Sequence, residues 1–557
     1  MSTFVYNDGS FDPEKKGVLS VTFGMFFDGT KNNRYHTEIR KKIENKGEFK
    51  DQAPTQEERD IYANYGDNES FGNDFTNVAR KWYCCERKKY AIYVEGIGTV
   101  GKEVKDKDDE MDGFAYGRGV TGIIAKVHSG CKMLAEKIKE EYDKKVEDDD
   151  INHIHLIVDA FGFSRGAAAA RHFLYNLQKR AYPPSCQSIN TVHNIDPSLA
   201  VIKTDYAGYF IKDSWVKDGL LPRYGFLGIS LLEAGISREL IETMGVKVRF
   251  LGIYDTVASY DPNCILIPNF EKQIHKLHLH DLGTPTRAVH YTALDEHREN
   301  FSLTRLKIGQ EFEFPGVHSD VGGSYNHDKL STQEFARKQQ KAKLLLQSVP
   351  TRKASEYEMV RLDSDIFLKN FEKFRQELIS EGWFTEDQIK IKYQFPIQKH
   401  LYAERILNRG YSFIPLHFMC DEAANYLAEN LFGEKILSDY ALEDDFLEKV
   451  KNYLKQYTIE GKNKWKLIDS SVSHNYNNNI SPLDIQEIEP ADNTHTTASS
   501  KEIIPTINLE QVEISAYRSD YILRKLRNQY LHWSAKLNTF TDRIANSPAK
   551  NRKRMDF

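Results

Sequence analysis

The chain has 557 residues, of which 40% are hydrophobic, 28% charged and 12% aromatic, and its 76 basic and 81 acidic side chains give a formal net charge of −5. This composition excludes a fibrous, collagenous or wholly disordered protein, and the length suits about three domains or one enlarged α/β domain. Because there is no basic excess, the usual electrostatic reason to expect a nucleic-acid partner is missing.

The amino-terminal segment, residues 1–17, lacks the basic, apolar and small-residue regions of a secretory signal, which predicts a protein that starts in the cytoplasm. No apolar run approaches the roughly 20 residues needed to cross a bilayer, so no membrane span is expected. The six cysteines include no CxxC pair, and neither a disulfide framework nor a zinc ribbon is predicted.

Four segments rich in β-branched and aromatic residues predict buried strands: Val18–Phe27, Tyr90–Glu95, Ile151–Ala160 and Val246–Tyr254. Each of them ends in polar or glycine residues, and helical stretches separate them. This order is typical of an α/β protein with a mostly parallel sheet and helices on both faces. The polar groups that follow the strands are expected to gather along one edge of that sheet.

The chain divides by composition into four parts. Residues 1–330 are predicted to form the α/β core, with a possible cap or lid insertion at about 205–244. Residues 331–466 are predicted to be a mainly helical accessory region, and residues 467–512, rich in Asn, Ser, Thr and Asp, a flexible polar loop. Residues 513–557 are predicted to be a helix followed by a basic tail. That tail is expected to be solvated, with contact to anionic lipid as the alternative.

The sharpest motif is the GxSxG sequence Gly162–Gly166, which follows a predicted strand and precedes an alanine-rich helix. A serine on a tight strand-to-helix turn needs glycines around it, because there is no room for side chains where the turn packs on itself. Ser164 is therefore predicted to be a nucleophile. The helix that follows it would favour negative charge near the serine oxygen.

Such a serine needs an acid and a histidine later in the chain. Asp255, at the end of a predicted strand, is the leading acid, and Asp196 is a weaker candidate. Asp295 is interpreted as a residue that forms a salt bridge or organises its loop. His318, in a turn-forming stretch after a short apolar strand, is the leading histidine on residue patterns alone.

Six motifs occur in an order that resembles the first class of type VI secretion lipase effectors, the Tle phospholipases: Phe27–Asn33, Phe114–Gly119, Gly162–Ala167, Tyr254–Val257, Ala293–Arg298 and Phe314–Gly323. The resemblance covers about residues 18–325. It implies an α/β-hydrolase domain with a catalytic triad of Ser164, Asp255 and His318, and no cofactor or metal.

The resemblance further implies hydrolysis of acyl esters of glycerophospholipids at the membrane surface of a target cell. Such a protein is cytoplasmic in the producing bacterium and is then secreted without a signal peptide to the target cell envelope. Its expected partners are a secretion needle or adaptor protein and an immunity protein in kin. The acyl position, A1 or A2, stays open.

The mechanism needs two backbone donors for an oxyanion. The N–H of Arg165 is the predicted first donor, and the N–H of Gly29 or Thr30 the second. A purely structural role for Asp28, in which its side chain caps its own loop, is expected as much as a role of this loop in the oxyanion site. Asp320 is interpreted as bonding the loop backbone, with cation binding as the alternative.

Four other functions stay open. A nucleotide-binding oxidoreductase would use the GxGxxG sequences Gly96–Gly101 and Gly117–Gly122. A metallohydrolase would use histidines and an aspartate of His275–Asp281, together with His153 and His155. The last two are an esterase acting on a soluble ester and a non-catalytic secretion adaptor.

Overall fold

A computed structural model of the chain describes these residues: 17–85, 88–101, 121–147, 150–188, 201–258, 270–296, 298, 301–326, 355–362, 371–394, 398–427, 433–461, 521–534, 554 and 556. The predicted motif Phe114–Gly119, the candidate acid Asp196 and the predicted loop 467–512 lie outside them.

A six-stranded parallel sheet forms the centre of the described fold. Its strands are β1 (Val18–Phe27), β2 (Ala91–Val94), β3 (His153–Phe163), β6 (Gly245–Tyr254), β7 (Arg287–Ala293) and β8 (Gln310–Phe314). They lie in the order β2-β1-β3-β6-β7-β8. A short antiparallel pair, β4 (Ser185–Ser188) and β5 (Val201–Thr204), lies outside this sheet. The four strands expected from the sequence are all present, and the predicted α/β fold is confirmed.

In the described part of the first 330 residues, the α-helices are α1 (Arg34–Glu44), α2 (Gln56–Tyr65), α3 (Glu69–Gly72), α4 (Asn77–Cys84), α5 (Ile123–Val146), α6 (Arg165–Gln178), α7 (Gly225–Glu233), α8 (Arg238–Thr243), α9 (Phe270–Lys276) and α10 (His318–Gly322). The helix α7 lies within the predicted cap insertion. It is buried and packs against α5 and α6.

Helices cover both faces of the sheet. Alternate side chains of a strand point to opposite faces, so each strand contributes apolar residues to both layers. On one face Phe27 contacts Phe173 of α6, and a side chain at Gly130 of α5 would meet Phe27. On the other face Phe26 stacks on Phe161, over which the ammonium of Lys81 of α4 lies. Both layers are apolar and buried, so the core is continuous through the sheet.

The later part of the chain adds helices and a second sheet. The α-helices that the structure describes there are α11 (Phe371–Ser380), α12 (Phe413–Leu427), α13 (Gly433–Asp439), α14 (Asp445–Leu454) and α15 (521–529). Three antiparallel strands, β9 (Ser355–Arg361), β10 (Ile389–Gln394) and β11 (Gln398–Asn408), were not expected from the sequence. The helix α12 packs on β6 and β7, which joins this region to the main sheet. None of the described helices is both long and apolar enough to cross a membrane.

Candidate active site

Ser164 stands on a strained turn between β3 and α6. Its φ of 59° is in the left-handed region, which non-glycine residues rarely adopt, and its N–H donates to the carbonyl of Tyr254 at 3.0 Å. A Cβ at Gly162 would lie 2.6 Å from the carbonyl oxygen of Gly166, and one at Gly166 would lie 2.2 Å from that of Asp28. The GxSxG glycines are therefore required sterically. The Ser164 hydroxyl does not cap α6, so the helix leaves it available.

Asp255 and His318 meet at the carboxyl ends of the strands. Asp255 directly follows β6, and His318 begins α10. The ring Nδ1 of His318 lies 2.5 Å from Oδ2 of Asp255. An ionised carboxylate only accepts hydrogen bonds, so Nδ1 carries the proton and Nε2 is left as the basic nitrogen. The ring of Phe163, the residue before Ser164, lies 4.5 Å from the His318 ring, centroid to centroid.

Both ionisable groups of this pair are buried, and their surroundings shift the pKa of each. Burial would raise the pKa of Asp255, but Arg554 and His318 outweigh it and hold that pKa well below its usual range. Burial lowers the pKa of His318 below 6.5, and the hydrogen bond to Asp255 only partly opposes that effect. At neutral pH the pair is therefore a carboxylate and an uncharged imidazole.

A second carboxylate supports the His318 backbone. Glu296 is buried, and its Oε2 accepts the N–H of His318 at 3.1 Å. The other oxygen accepts from Arg298 at 2.9 Å and from the hydroxyl of Ser534 at 2.7 Å. Arg298 offsets the desolvation of Glu296 and keeps its pKa low. This carboxylate therefore fixes the loop that carries the histidine.

The loop after β1 packs against the serine turn. Asp28 is buried and accepts from Gly29 N–H at 2.7 Å, from the Thr76 hydroxyl at 2.6 Å and from the Tyr93 hydroxyl at 2.5 Å. Burial raises the pKa of Asp28 to about 6, although these donors oppose it. Asp28 therefore does cap its own loop. The N–H of Gly29 is engaged by this cap, which leaves Thr30 as the other predicted donor.

Two contacts hold that loop beside Ser164. The guanidinium Nε of Arg165 donates to the Thr30 hydroxyl at 2.7 Å. A Cβ at Gly29 would lie 2.5 Å from the ring of Phe163, so only glycine allows this approach. The three residues predicted to supply oxyanion donors thus lie in one place, next to the serine.

The first GxGxxG sequence has a structural role at this site. Gly96 donates its N–H to the carbonyl of Asn32 at 2.8 Å, and the carbonyl of Ile97 accepts from Lys31 at 2.9 Å. A Cβ at Gly96 would lie 1.8 Å from the carbonyl oxygen of Gly29. The glycine is therefore explained by close packing on the loop after β1, with no need for a nucleotide.

Gly96→Ala is expected to destabilise the fold by about 3 kcal/mol and to lower hydrolytic activity, because the new methyl group displaces the Gly29 backbone. Gly245→Ala is the matched control, since the nearest heavy atom to its Cβ would be 3.6 Å away. Urea unfolding of both variants measures the difference. Equal stability of the two variants would contradict the close packing of Gly96 on the Gly29 carbonyl.

The other predicted candidates have structural partners. Asp295 accepts from Arg527 at 2.7 Å and from Gly316 N–H at 2.8 Å, which is the loop-organising role expected of it. Asp320 accepts from His532 Nδ1 at 2.6 Å and from Val317 N–H at 3.0 Å. Within the described ranges, no group of three or more His, Cys, Asp or Glu side chains is arranged to hold a metal ion.

Sequence reasoning misses two residues that bear on the pair Asp255–His318. Glu296 lies in one of the six motifs, and its position next to Asp295 is the available signal. Arg554 falls in the tail that the sequence predicts to be solvated, but its side chain is only 8% exposed and bonds Asp255. No local pattern marks that contact, because the two residues are 299 positions apart.

The comparison with family models agrees with the resemblance noted in the sequence. Residues 25–346 match the family model described as "T6SS, Phospholipase effector Tle1-like, catalytic domain". No curated protein matches the chain. A structure titled "Structure of the Tle1 effector bound to the VgrG spike from the Type 6 secretion system" is 17% identical, with a TM-score of 0.38, over 85% of this chain and 88% of that one.

A second solved structure, of an uncharacterized protein from Pseudomonas aeruginosa, is 15% identical with a TM-score of 0.35, over 79% of this chain and 51% of that one. The family model spans more than half of the 557 residues, which settles the family. The chain belongs to the Tle1-like phospholipase effectors of the type VI secretion system and contains their catalytic domain.

Proposed function

We propose that the chain hydrolyses acyl esters of glycerophospholipids through a triad of Ser164, His318 and Asp255. The observation that carries the proposal is the buried hydrogen bond between His318 Nδ1 and Asp255 Oδ2, next to a serine on a strained turn. Family membership supports the lipid substrate. The assignment of the triad residues rests on the geometry and the chemistry of their side chains.

In the proposed mechanism, Nε2 of His318 takes the proton of the Ser164 hydroxyl while the serine oxygen attacks the acyl carbonyl carbon. The C–O bond to the glycerol breaks as His318 returns the proton to the leaving alcohol. Water, deprotonated in turn by His318, then releases the fatty acid from Ser164. Asp255 keeps the proton on Nδ1 and stabilises the imidazolium in each half-reaction.

The oxyanion of each tetrahedral intermediate needs fixed donors. We assign the first donor to the N–H of Arg165, the residue that directly follows Ser164 and begins α6. We assign the second donor to the N–H of Thr30, since the N–H of Gly29 already donates to Asp28. Both assignments place donors on the side of Ser164 where the loop after β1 packs.

The acid limb of kcat/KM is expected to lie below pH 6.5. The proposed base works as uncharged imidazole, and burial lowers the pKa of His318 from 6.5. Activity therefore rises as the pH increases through this lowered pKa and is constant above it. Initial rates on a soluble ester from pH 4.5 to 8 measure the limb. A midpoint above pH 6.5 would contradict the assignment.

The substrate class is tested with phosphatidylethanolamine and phosphatidylglycerol vesicles, beside a short-chain soluble ester, each with and without EDTA. Fatty-acid release from vesicles that survives EDTA supports the proposal. Cleavage of the soluble ester alone would leave an esterase and overturn the phospholipase assignment. A phospholipid with different chains at its two acyl positions identifies the bond that is cut.

We further propose delivery by the secretion needle, as family membership implies. VgrG, to which the Tle1 effector named above is bound, is the first partner to test. Co-purification of the full chain with the VgrG of its own secretion system measures this interaction. Failure of both proteins to associate would direct attention to a separate adaptor.

A further inference from the structure

Arg554 makes a two-pronged contact with the proposed triad carboxylate. Its Nη1 donates to Asp255 Oδ1 at 2.7 Å and its Nη2 donates to Oδ2 at 2.8 Å. The side chains of the two residues are 8% and 0% exposed. A guanidinium matches the two oxygens of a carboxylate, and such bidentate pairs fix orientation as well as charge.

The remaining bonds of Arg554 go to the backbone around the same site. The guanidinium donates to the carbonyl of Ala293, at the end of β7, and to that of Phe301. The Phe301 ring lies edge-on to the His318 ring, with centroids 4.9 Å apart. One side chain therefore ties together the carboxylate and the loop that packs on the histidine.

The chain near Arg554 is anchored beside this loop by separate contacts. Asp556 accepts from Arg305 at 3.0 Å and forms a parallel bridge with Leu303. These contacts lie on residues that closely follow Phe301. The position of Arg554 thus has support that does not depend on Asp255.

We propose that Arg554 is a positioning residue of the active site, whose guanidinium holds the Asp255 carboxylate in the rotation that accepts from His318 Nδ1. The inference rests on the proposed function for its catalytic meaning. The carboxylate has one further donor, the N–H of Ala293, at 2.8 Å from Oδ1. Without Arg554, the only donor to Oδ2 besides the histidine would be lost from the described site.

Arg554 also affects the protonation of His318, through the Asp255 carboxylate. Among the residues that the structure describes, the ionisable groups facing this ring are Asp255, Glu296, Arg298 and, through Asp255, Arg554. On the element that carries the ring, Asp320 is paired with His532. Because Arg554 neutralises part of the Asp255 charge, it makes the imidazolium less stable and keeps His318 uncharged at mildly acidic pH.

The test compares wild type with Arg554→Gln and Arg554→Lys in the full chain, with Arg552→Gln as the control for loss of one tail charge. For Arg554→Gln we expect kcat on a soluble ester to fall about tenfold with little change in KM. The acid limb is expected to move up by roughly one pH unit. Arg554→Lys is expected to leave the pH of the acid limb unchanged, because the positive charge is kept. Its kcat is expected to stay below that of wild type, because an ammonium is a point charge and cannot hold both carboxylate oxygens.

The pKa of His318 is measured directly by NMR of histidine-labelled protein, with His318→Ala to assign the signal. A higher pKa in Arg554→Gln than in wild type and Arg552→Gln supports the proposal even if no substrate is cleaved. An unchanged pKa overturns it. If Arg554→Gln does not fold, Arg554→Lys decides, and wild-type kcat in that variant overturns the proposal. If wild type is inactive but the pKa of His318 still rises in Arg554→Gln, the proposed function is wrong and the positioning contact stands.

Discussion

Ser164→Ala is expected to lower fatty-acid release from phospholipid vesicles by roughly 10⁴-fold or more. The variant removes the only oxygen that the proposed mechanism uses to form the acyl intermediate, while alanine fits the small space of the turn. Some strain remains, because alanine must adopt the same φ of 59°. A loss of this size is therefore attributed to chemistry only if the variant is folded.

Ser230→Ala is the matched control. Ser230 lies on α7, and its buried hydroxyl has no hydrogen-bond partner among the described residues, so its loss should cost neither activity nor stability. Fatty-acid release and thermal unfolding are measured for both variants. Activity within tenfold of wild type in a folded Ser164→Ala protein would contradict the nucleophile assignment.

Asp255→Asn is expected to reduce kcat by roughly 10³ to 10⁴-fold. An amide can donate its own N–H to the ring, which favours the wrong tautomer and places the proton on Nε2, where the base is needed. It also leaves the buried guanidinium of Arg554 without its negative partner. We therefore expect the variant to be less stable than wild type as well as less active.

Asp159→Asn separates these two effects. Asp159 on β3 is a buried carboxylate that accepts from Arg249 at 2.6 and 3.1 Å, so this variant breaks a similar ion pair away from the triad. It should lose stability but keep its kcat. Comparable kcat losses in the two variants would mean that Asp255 contributes to activity only by stabilising the fold.

The features of the site that can be predicted from the sequence are those with a local pattern. An apolar strand, a GxSxG turn and a small-residue helix occupy consecutive positions, so the amino-acid sequence alone is enough to propose Ser164 as the nucleophile. Asp255 is a leading candidate because it directly follows the apolar strand β6. His318 depends more on the resemblance to the lipase effectors, since its loop has no strong pattern of its own.

The features that cannot be predicted in this way depend on tertiary contacts. The pairing of β9 with β11 brings together Ser355 and Asn408, in a region where the sequence predicts mainly helix. Gly96 lies in a motif that indicates phosphate binding, yet its requirement for glycine comes from the approach of the Gly29 carbonyl. The contact of Arg554 with Asp255 likewise depends on how the last residues of the sequence dock, which no short motif encodes.

The most direct test of the proposed triad is mass spectrometry of the protein after reaction with an alkyl fluorophosphonate, which a serine activated by histidine attacks. Our account predicts a single adduct, mapped to the peptide that contains Ser164, and its loss in His318→Ala. An adduct on another serine, equal labelling of His318→Ala or no labelling of the folded wild type would contradict it.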